Sequence, residues 1–212
     1  MSQQSIFITG IGTGVGKSLI SAIVTEALQA DYWKPIQAGL DEGTDAGTVK
    51  SLISNEVTQI HPEAYRLKMP ASPHIAAAAE NITIDINKIQ QSIPKSNNPY
   101  LIIEGAGGLL VPINEKQFIA DIITTLKTPV ILVSRNYLGS INHSLLTAKV
   151  CKDLNIKVLG WIFNDHYLQY EQEIVNWSCI PYIGNIPFTE NPNHWFVQKQ
   201  AAKIKARLLE LL

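Results

Sequence analysis

At 212 residues, with 46% hydrophobic and 17% charged content, the chain is sized for one α/β domain, spanning residues 1–212, with a full core. A net charge of −1 offers no basic field to recruit nucleic acid or an anionic membrane, so a small molecule is the expected partner. Cys151 and Cys179 form neither a disulfide framework nor a CxxC metal motif, and without a leader-like or spanning apolar run the expected location is cytoplasmic.

The first predicted strand, Ile6 to Thr9, runs into Gly10-Ile11-Gly12-Thr13-Gly14-Val15-Gly16-Lys17-Ser18 and then a helix, Ser18 to Gln29. Glycines there let successive N–H groups turn onto one anion at the positive end of a helix; Lys17 can reach outer phosphates and Ser18 can ligate Mg²⁺. Five residues separate Gly10 from Gly16-Lys17-Ser18, one more than in the common phosphate-binding loop.

A second strand is predicted over Tyr32 to Ile36. Within it, Pro35 biases Lys34 towards an extended backbone at the active end of the strand, although a snorkelling surface lysine would read the same. Asp41, Glu42 and Asp45 follow in a polar loop before a helix at Ala46 to Ser54. Solvation is their default, and Asp45 can occupy the first helical turn facing the sheet edge. Gln59 to Pro73 reads as irregular, followed by helical patterns around Ala76 to Ala79 and over Asp85 to Ile93.

The strand Tyr100 to Ile103 ends in Glu104-Gly105-Ala106-Gly107-Gly108, where a carboxylate beside a phosphate loop suits Mg²⁺ and the glycines admit a ligand close to the backbone. A helix over Ile119 to Leu126 leads to a strand at Pro129 to Val133, and a helix over Ile141 to Leu154 to a strand at Val158 to Phe163. Asn164-Asp165 follows that strand; the amide can meet an adenine edge, and the carboxylate can cap a helix. Tyr170 to Trp177, Tyr182 to Ile183 and Trp195 to Leu211 complete the helix, strand, helix order. His74 and His143 fall at helix starts as packing or capping residues, and the four tryptophans are assigned to the core. Short, continuously apolar strands alternating with helices predict a doubly wound, mainly parallel sheet, with ligands at the carboxyl ends of its strands.

Taken together, the lengthened loop, Lys34-Pro35-Ile36 with Gly39, Pro70-Ala71-Ser72-Pro73-His74, Glu104 to Gly108, Leu138 to His143, Gly160-Trp161 with Asn164-Asp165, and Gly184 to Asn191 resemble the dethiobiotin synthetases. The resemblance covers nearly the full chain. It implies a phosphate-loop fold with a seven-stranded sheet, a homodimer, and an ATP- and Mg²⁺-dependent ligase of biotin biosynthesis that joins CO₂ to 7,8-diaminononanoate. By the same resemblance Thr13, Gly14, Val15, Gly16, Lys17, Ser18 and Leu19 hold the nucleotide phosphates, and Ser18, Asp45 and Glu104 surround Mg²⁺. Lys34 and Lys17 become the catalytic lysines; Glu104, Gly105, Ala106 and Gly107 line the nucleotide. Asn164, Asp165, Pro187, Phe188 and Thr189 flank the purine.

The substrate side falls to Ala38 and, from the partner subunit, to the helix start at Gly139, Ser140, Ile141 and Asn142. Ala38 stands where family members often carry Ser or Thr, and Gly14 where some carry an acidic residue. A rival reading is a nucleotide-dependent ATPase switch of the partition or cell-division kind. Such switches usually carry an early loop lysine, whereas Ile11 and Gly12 occupy that region here. A ligase of the cobyrinate type would need a glutamine-hydrolysing domain, for which the chain has no room.

Overall fold

The computed structural model describes residues 3–41, 43–165 and 168–212; the acidic-loop residue Glu42 lies outside the described residues. Gln4–Gly10 forms β1 and Lys17–Leu28 forms α1, with the glycine-rich loop between them. The strand expected over Tyr32 to Ile36 is two strands, β2 (Asp31–Trp33) and β3 (Ile36–Ala38), interrupted at Lys34-Pro35. Proline has no N–H to give to a ladder, so the main sheet cannot continue through Pro35.

The chain proceeds through α2 (Asp45–Leu52), β4 (Ile60–His61), β5 (Tyr65–Leu67), α3 (Pro73–Ala79), α4 (Ile86–Gln91) and β6 (Tyr100–Gly108). It ends with α5 (Ile119–Leu126), β7 (Val130–Arg135), α6 (Ser140–Asp153), β8 (Val158–Asn164), α7 (Glu171–Ser178), β9 (Tyr182–Ile186) and α8 (His194–Leu211). The region expected to be irregular, Gln59 to Pro73, therefore contains β4 and β5. At 2 and 3 residues these strands are too short to carry a periodic signal.

The main sheet has seven strands in the order β4-β2-β6-β1-β7-β8-β9, with parallel pairing throughout, while β3 and β5 form a separate parallel pair. β1 sits between β6 and β7, so the chain departs to opposite sides of it. The loop after β1 consequently emerges at the topological switch point, the place where open α/β sheets bind ligands.

Alternate strand residues feed two cores. Ile6, Ile8, Tyr32, Ile102 and Ile131 pack with α1, α2 and α8, whereas Phe7, Trp33, Ile103, Leu132 and Trp161 pack with helices α3 to α7. Both faces being covered explains the continuous apolar character of the strands. Trp33 and Trp161 are fully buried as expected, but Trp177 and Trp195 are exposed, which corrects their assignment to the core. Cys151 is buried and its thiol is pushed up to about 12 by that burial. No helix among the described residues is long and apolar enough to cross a membrane.

A buried carboxylate fixes the start of β2. Asp31 accepts from Gln59 N at 3.0 Å, from Asn98 Nδ2 at 3.2 Å and from Ser96 Oγ, and contacts His61 Nε2 at 3.1 Å. It thereby ties β2 to β4 on one side and to the turn before β6 on the other. Burial alone would raise the Asp31 carboxyl, yet the bonds from Ser96, Gln59 and His61 outweigh it and hold the group below 3.8. A depressed folded value means that the stabilisation is present above 3.8 and lost as pH falls through the folded value. Asp31→Asn should lower unfolding free energy by about 1–3 kcal/mol at neutral pH, with the gap to the parent closing in acid; urea melts at pH 7 and pH 3 check this.

Candidate active site

Gly16 is the N-cap of α1 with φ 88, and Gly14 has φ 74, both in the left-handed region that favours glycine. A Cβ on Gly16 would lie 2.1 Å from Asn164 Nδ2 and would have to push that amide off the loop. Asn164 Nδ2 donates to Val15 O at 3.0 Å. The amide expected at the adenine is thus also a strut that holds the phosphate loop. Lys17 Nζ lies back across the loop and donates to Gly12 O at 2.8 Å.

Beside the loop, four side chains from four segments converge. Ser18 Oγ, in the first turn of α1, donates to Glu104 Oε1 at 3.0 Å and also to Asp45 Oδ1. Lys34 Nζ donates to Glu104 Oε1 at 3.2 Å and to Asp45 Oδ2. Lys34 is buried, which settles the choice between a strand-end group and a surface lysine. Asp45 opens α2, where the Thr44 hydroxyl accepts from Gly47 N at 3.0 Å and the helix end favours a negative charge. Glu104 is 1% exposed within β6.

Two residues in this region were assigned no site role from the sequence. Gln37 Oε1 accepts from Asp45 N at 3.2 Å, while its amide donates to Gly39 O at 3.0 Å, so β3 locates the start of α2. Tyr32 OH donates to Glu104 Oε2 at 2.9 Å. The signal available for Tyr32 was its place two residues before Lys34, on the same face of an extended strand.

A cleft of about 710 Å³ opens over this cluster. Thr13, Gly14, Gly16, Lys17, Ser18 and Leu19 line it on the loop side, and Lys34, Ala38, Asp45, Glu104, Ala106 and Gly107 opposite. The segment Pro70 to Pro73 closes the remaining wall. Val15 is buried beneath the loop, and Gly105 lies against the ring of Phe7, where a Cβ would meet Cε1 at 2.7 Å. Asp165 follows β8, accepts from Arg135 NH2 at 3.1 Å and donates its own N–H to Ile186 O at 2.9 Å. Pro187, Phe188 and Thr189 follow β9 at the same sheet edge, with Phe188 59% exposed.

The expected substrate residues at the start of α6 stand apart from that cleft. Gly139, Ile141 and Asn142 line a different cleft of about 1430 Å³. Gly139, with φ 103, is the N-cap, and Ser140 is the first helical residue rather than the cap. Its side chain is fully buried, with Oγ 2.7 Å from Tyr170 OH and accepting from Tyr137 N at 3.3 Å.

The electrostatics follow from burial and proximity. Burial pushes Lys17 down to about 8, with Glu104 and Asp45 partly offsetting it and Lys34 adding to it. Burial would also lower Lys34, but Glu104 and Asp45 outweigh it and the ammonium is held above its ordinary value. For Asp45, burial is likewise outweighed, by Lys34 and Ser18 first, and the carboxyl stays below 3.8. A hydroxyl and two carboxylates are hard oxygen donors, the chemistry that Mg²⁺ selects alongside phosphate oxygens. Among the described residues no group of three or more His, Cys, Asp or Glu side chains is placed to hold a metal ion.

An anion in the loop favours the charged form of Lys17, so above about pH 8 nucleotide binding must be accompanied by proton uptake. Affinity for ADP should be level below that pH and fall by up to about tenfold per unit above it. Calorimetric titration from pH 7 to pH 9.5 reads the slope, and Lys17→Met should flatten it.

Comparison with known proteins places this geometry in a family. The chain matches an AAA domain family over residues 4–193. It is 53% identical to "ATP-dependent dethiobiotin synthetase BioD" of Cytophaga hutchinsonii, over 81% of this chain and 82% of that one. With the protein of the same name from Christiangramia forsetii, identity is 45% over 98% of this chain and 99% of that one. Among solved structures, a plasmid partition protein from Borrelia burgdorferi superposes with a TM-score of 0.63 at 14% identity, covering 100% of each chain. That likeness concerns the fold alone.

Proposed function

Because the chain belongs to the ATP-dependent dethiobiotin synthetase family, we propose that it is the ligase that closes a cyclic urea on 7,8-diaminononanoate, using CO₂, ATP and Mg²⁺. The observation that carries the reading is Lys34. Its buried ammonium sits on Glu104 and Asp45 at the floor of the phosphate-loop cleft, where a triphosphate and an acceptor can meet.

One amine of the substrate adds to CO₂, losing a proton and giving a carbamate. A carbamate oxygen then attacks the γ-phosphorus and ADP leaves. The second amine attacks the carbamate carbon, phosphate departs with its C–O bond, and loss of a proton leaves the ring. Every step gathers negative charge over the cleft. The loop N–H groups and Lys17 hold the phosphates, and Lys34 neutralises the carbamate and the moving phosphoryl group. Ser18, Asp45 and Glu104 would hold Mg²⁺, whose chemistry here is charge neutralisation on the phosphates. No nucleophilic side chain is required.

On the substrate side Ala38 offers a methyl group to the chain of the diamine. The start of α6 stands outside the phosphate-loop cleft of its own chain, and this supports a homodimer in which Gly139, Ile141 and Asn142 of one protomer serve the other's site. Amides of a first helical turn suit the substrate carboxylate. Residues 1–212 act as one domain, the location is the cytoplasm, and neither nucleic acid nor membrane takes part.

ATP turnover should require the diamine together with bicarbonate; phosphate release that ignores the diamine would favour the switch reading. Lys34→Ala should lower turnover by roughly a hundredfold or more while leaving ADP binding near the parent value, whereas Lys17→Ala should weaken both. The shared site predicts complementation. Lys34→Ala and Asn142→Asp proteins, each inactive alone, should regain about a quarter of parent activity when mixed, because half the dimers are mixed and each keeps one intact site. Mixtures that stay inactive while light scattering shows exchange of protomers would refute the sharing.

A further inference from the structure

β2 pairs with β6 in parallel, with Tyr32 opposite Ile102. Side chains alternate along a strand, so Ile102 and Glu104 share one face, and Tyr32 reaches diagonally towards Glu104 on that face. Tyr32 is fully buried in the core beneath α1, and its hydroxyl makes a buried bond of 2.9 Å to Glu104 Oε2. The other oxygen, Oε1, takes both Ser18 Oγ at 3.0 Å and Lys34 Nζ at 3.2 Å. The two oxygens of one carboxylate are therefore divided between the core and the cleft.

We propose that Tyr32 is a positioning residue: its phenol holds Oε2 of Glu104 so that Oε1 alone is presented to Lys34, Ser18 and the metal side of the cleft. This rests on the reading of Glu104 as a metal-side carboxylate. A carboxylate with one oxygen occupied cannot turn its plane without breaking a charge-assisted hydrogen bond in a place that water does not reach. Because Tyr32 lies one residue before the end of β2, the strand that supplies Lys34 also orients its carboxylate partner.

Tyr32→Phe keeps the ring and removes only the donor. With ADP as the probe, the Mg²⁺ concentration that half-saturates the metal-dependent gain in affinity should rise about tenfold, while ADP affinity in EDTA stays within twofold. Glu104→Gln should raise it further, and adding Tyr32→Phe to Glu104→Gln should then change it by less than about twofold, since the two residues act through one carboxylate. Incorporation of 3-fluorotyrosine at position 32 restores a hydroxyl and should return the titration to the parent value, with a ¹⁹F resonance that shifts when Mg²⁺ is added to the ADP complex. An unchanged Mg²⁺ titration in Tyr32→Phe, an additive effect in the double variant, or a ¹⁹F resonance indifferent to Mg²⁺ would each overturn the proposal. None of these measurements uses the diamine, so an absent ligase activity would count against the proposed function and leave the role of Tyr32 to be judged separately.

Discussion

Two ammonium groups and two carboxylates crowd the floor of one cleft, all but Asp45 largely buried, and much of the architecture follows from that constraint. Lys34 and Glu104 expose 6% and 1% of their side chains and Asp45 30%. Taking such charges out of water costs several kcal/mol per ion unless partners and hydrogen bonds replace the lost solvent. Here Lys34 bridges both carboxylates, Ser18 donates to both, and Tyr32 and Gln37 fix Glu104 and the backbone of Asp45. Each group depends on the others remaining in place. A change at any one of them leaves a buried charge behind, so function and local stability are coupled in this cluster.

The fold meets this demand by interrupting a strand. β2 must stay beside β6 to bring Tyr32 and Lys34 to Glu104, yet the chain must then turn away to deliver Asp45 from the far side. Pro35 ends the ladder, and the chain continues into the small β3–β5 pair, joined through Tyr65 N to Pro35 O at 3.0 Å and Gly39 N to Leu67 O at 3.0 Å. Gly39 closes that pair with φ 84. A Cβ there would press on Pro70 at 3.0 Å, so a bare backbone is what lets the Pro70 to Pro73 wall come down over the cleft. The ties from Asp31 to Ser96, Gln59 and His61 hold the other end of β2 against the same sheet.

Much of this was legible because it is local. The loop carries its chemistry in nine consecutive residues, Gly10 to Ser18, and long apolar strands such as β1, β7 and β8 announce themselves by composition. The pairing of Lys34 with Asp45 and Glu104 was not legible from spacing, since the partners lie 11 and 70 residues away and depend on the register between β2 and β6. Tyr32 was hidden for a related reason: a tyrosine inside an apolar strand reads as core, which its ring is, and only the pairing shows where its hydroxyl ends. Trp177 and Trp195 misled in the opposite sense. Their size suggests burial, but each lies on a helix whose inner face is already supplied by other residues, Ile174 in α7 and Val197, Ala201 and Ile204 in α8.

A partition protein superposes over the whole chain at 14% identity, so the fold by itself does not select the reaction. Selection lies in what stands at the strand ends. Ile11, in the early part of the loop, packs against both cores, and its N–H is bound to Val133 O at 3.0 Å. A side chain anchored in that way serves the floor of the loop and does not reach across it. The cleft carries positive charge of its own in Lys34, which follows directly on β2 with its counter-charges already assembled. Its ammonium is held charged by Glu104 and Asp45, while Lys17, poorer in such support, is pushed down to about 8 by burial. The two lysines therefore differ before any substrate arrives: Lys34 holds its charge on two carboxylates, whereas Lys17 loses its own above about pH 8 unless an anion in the loop retains it.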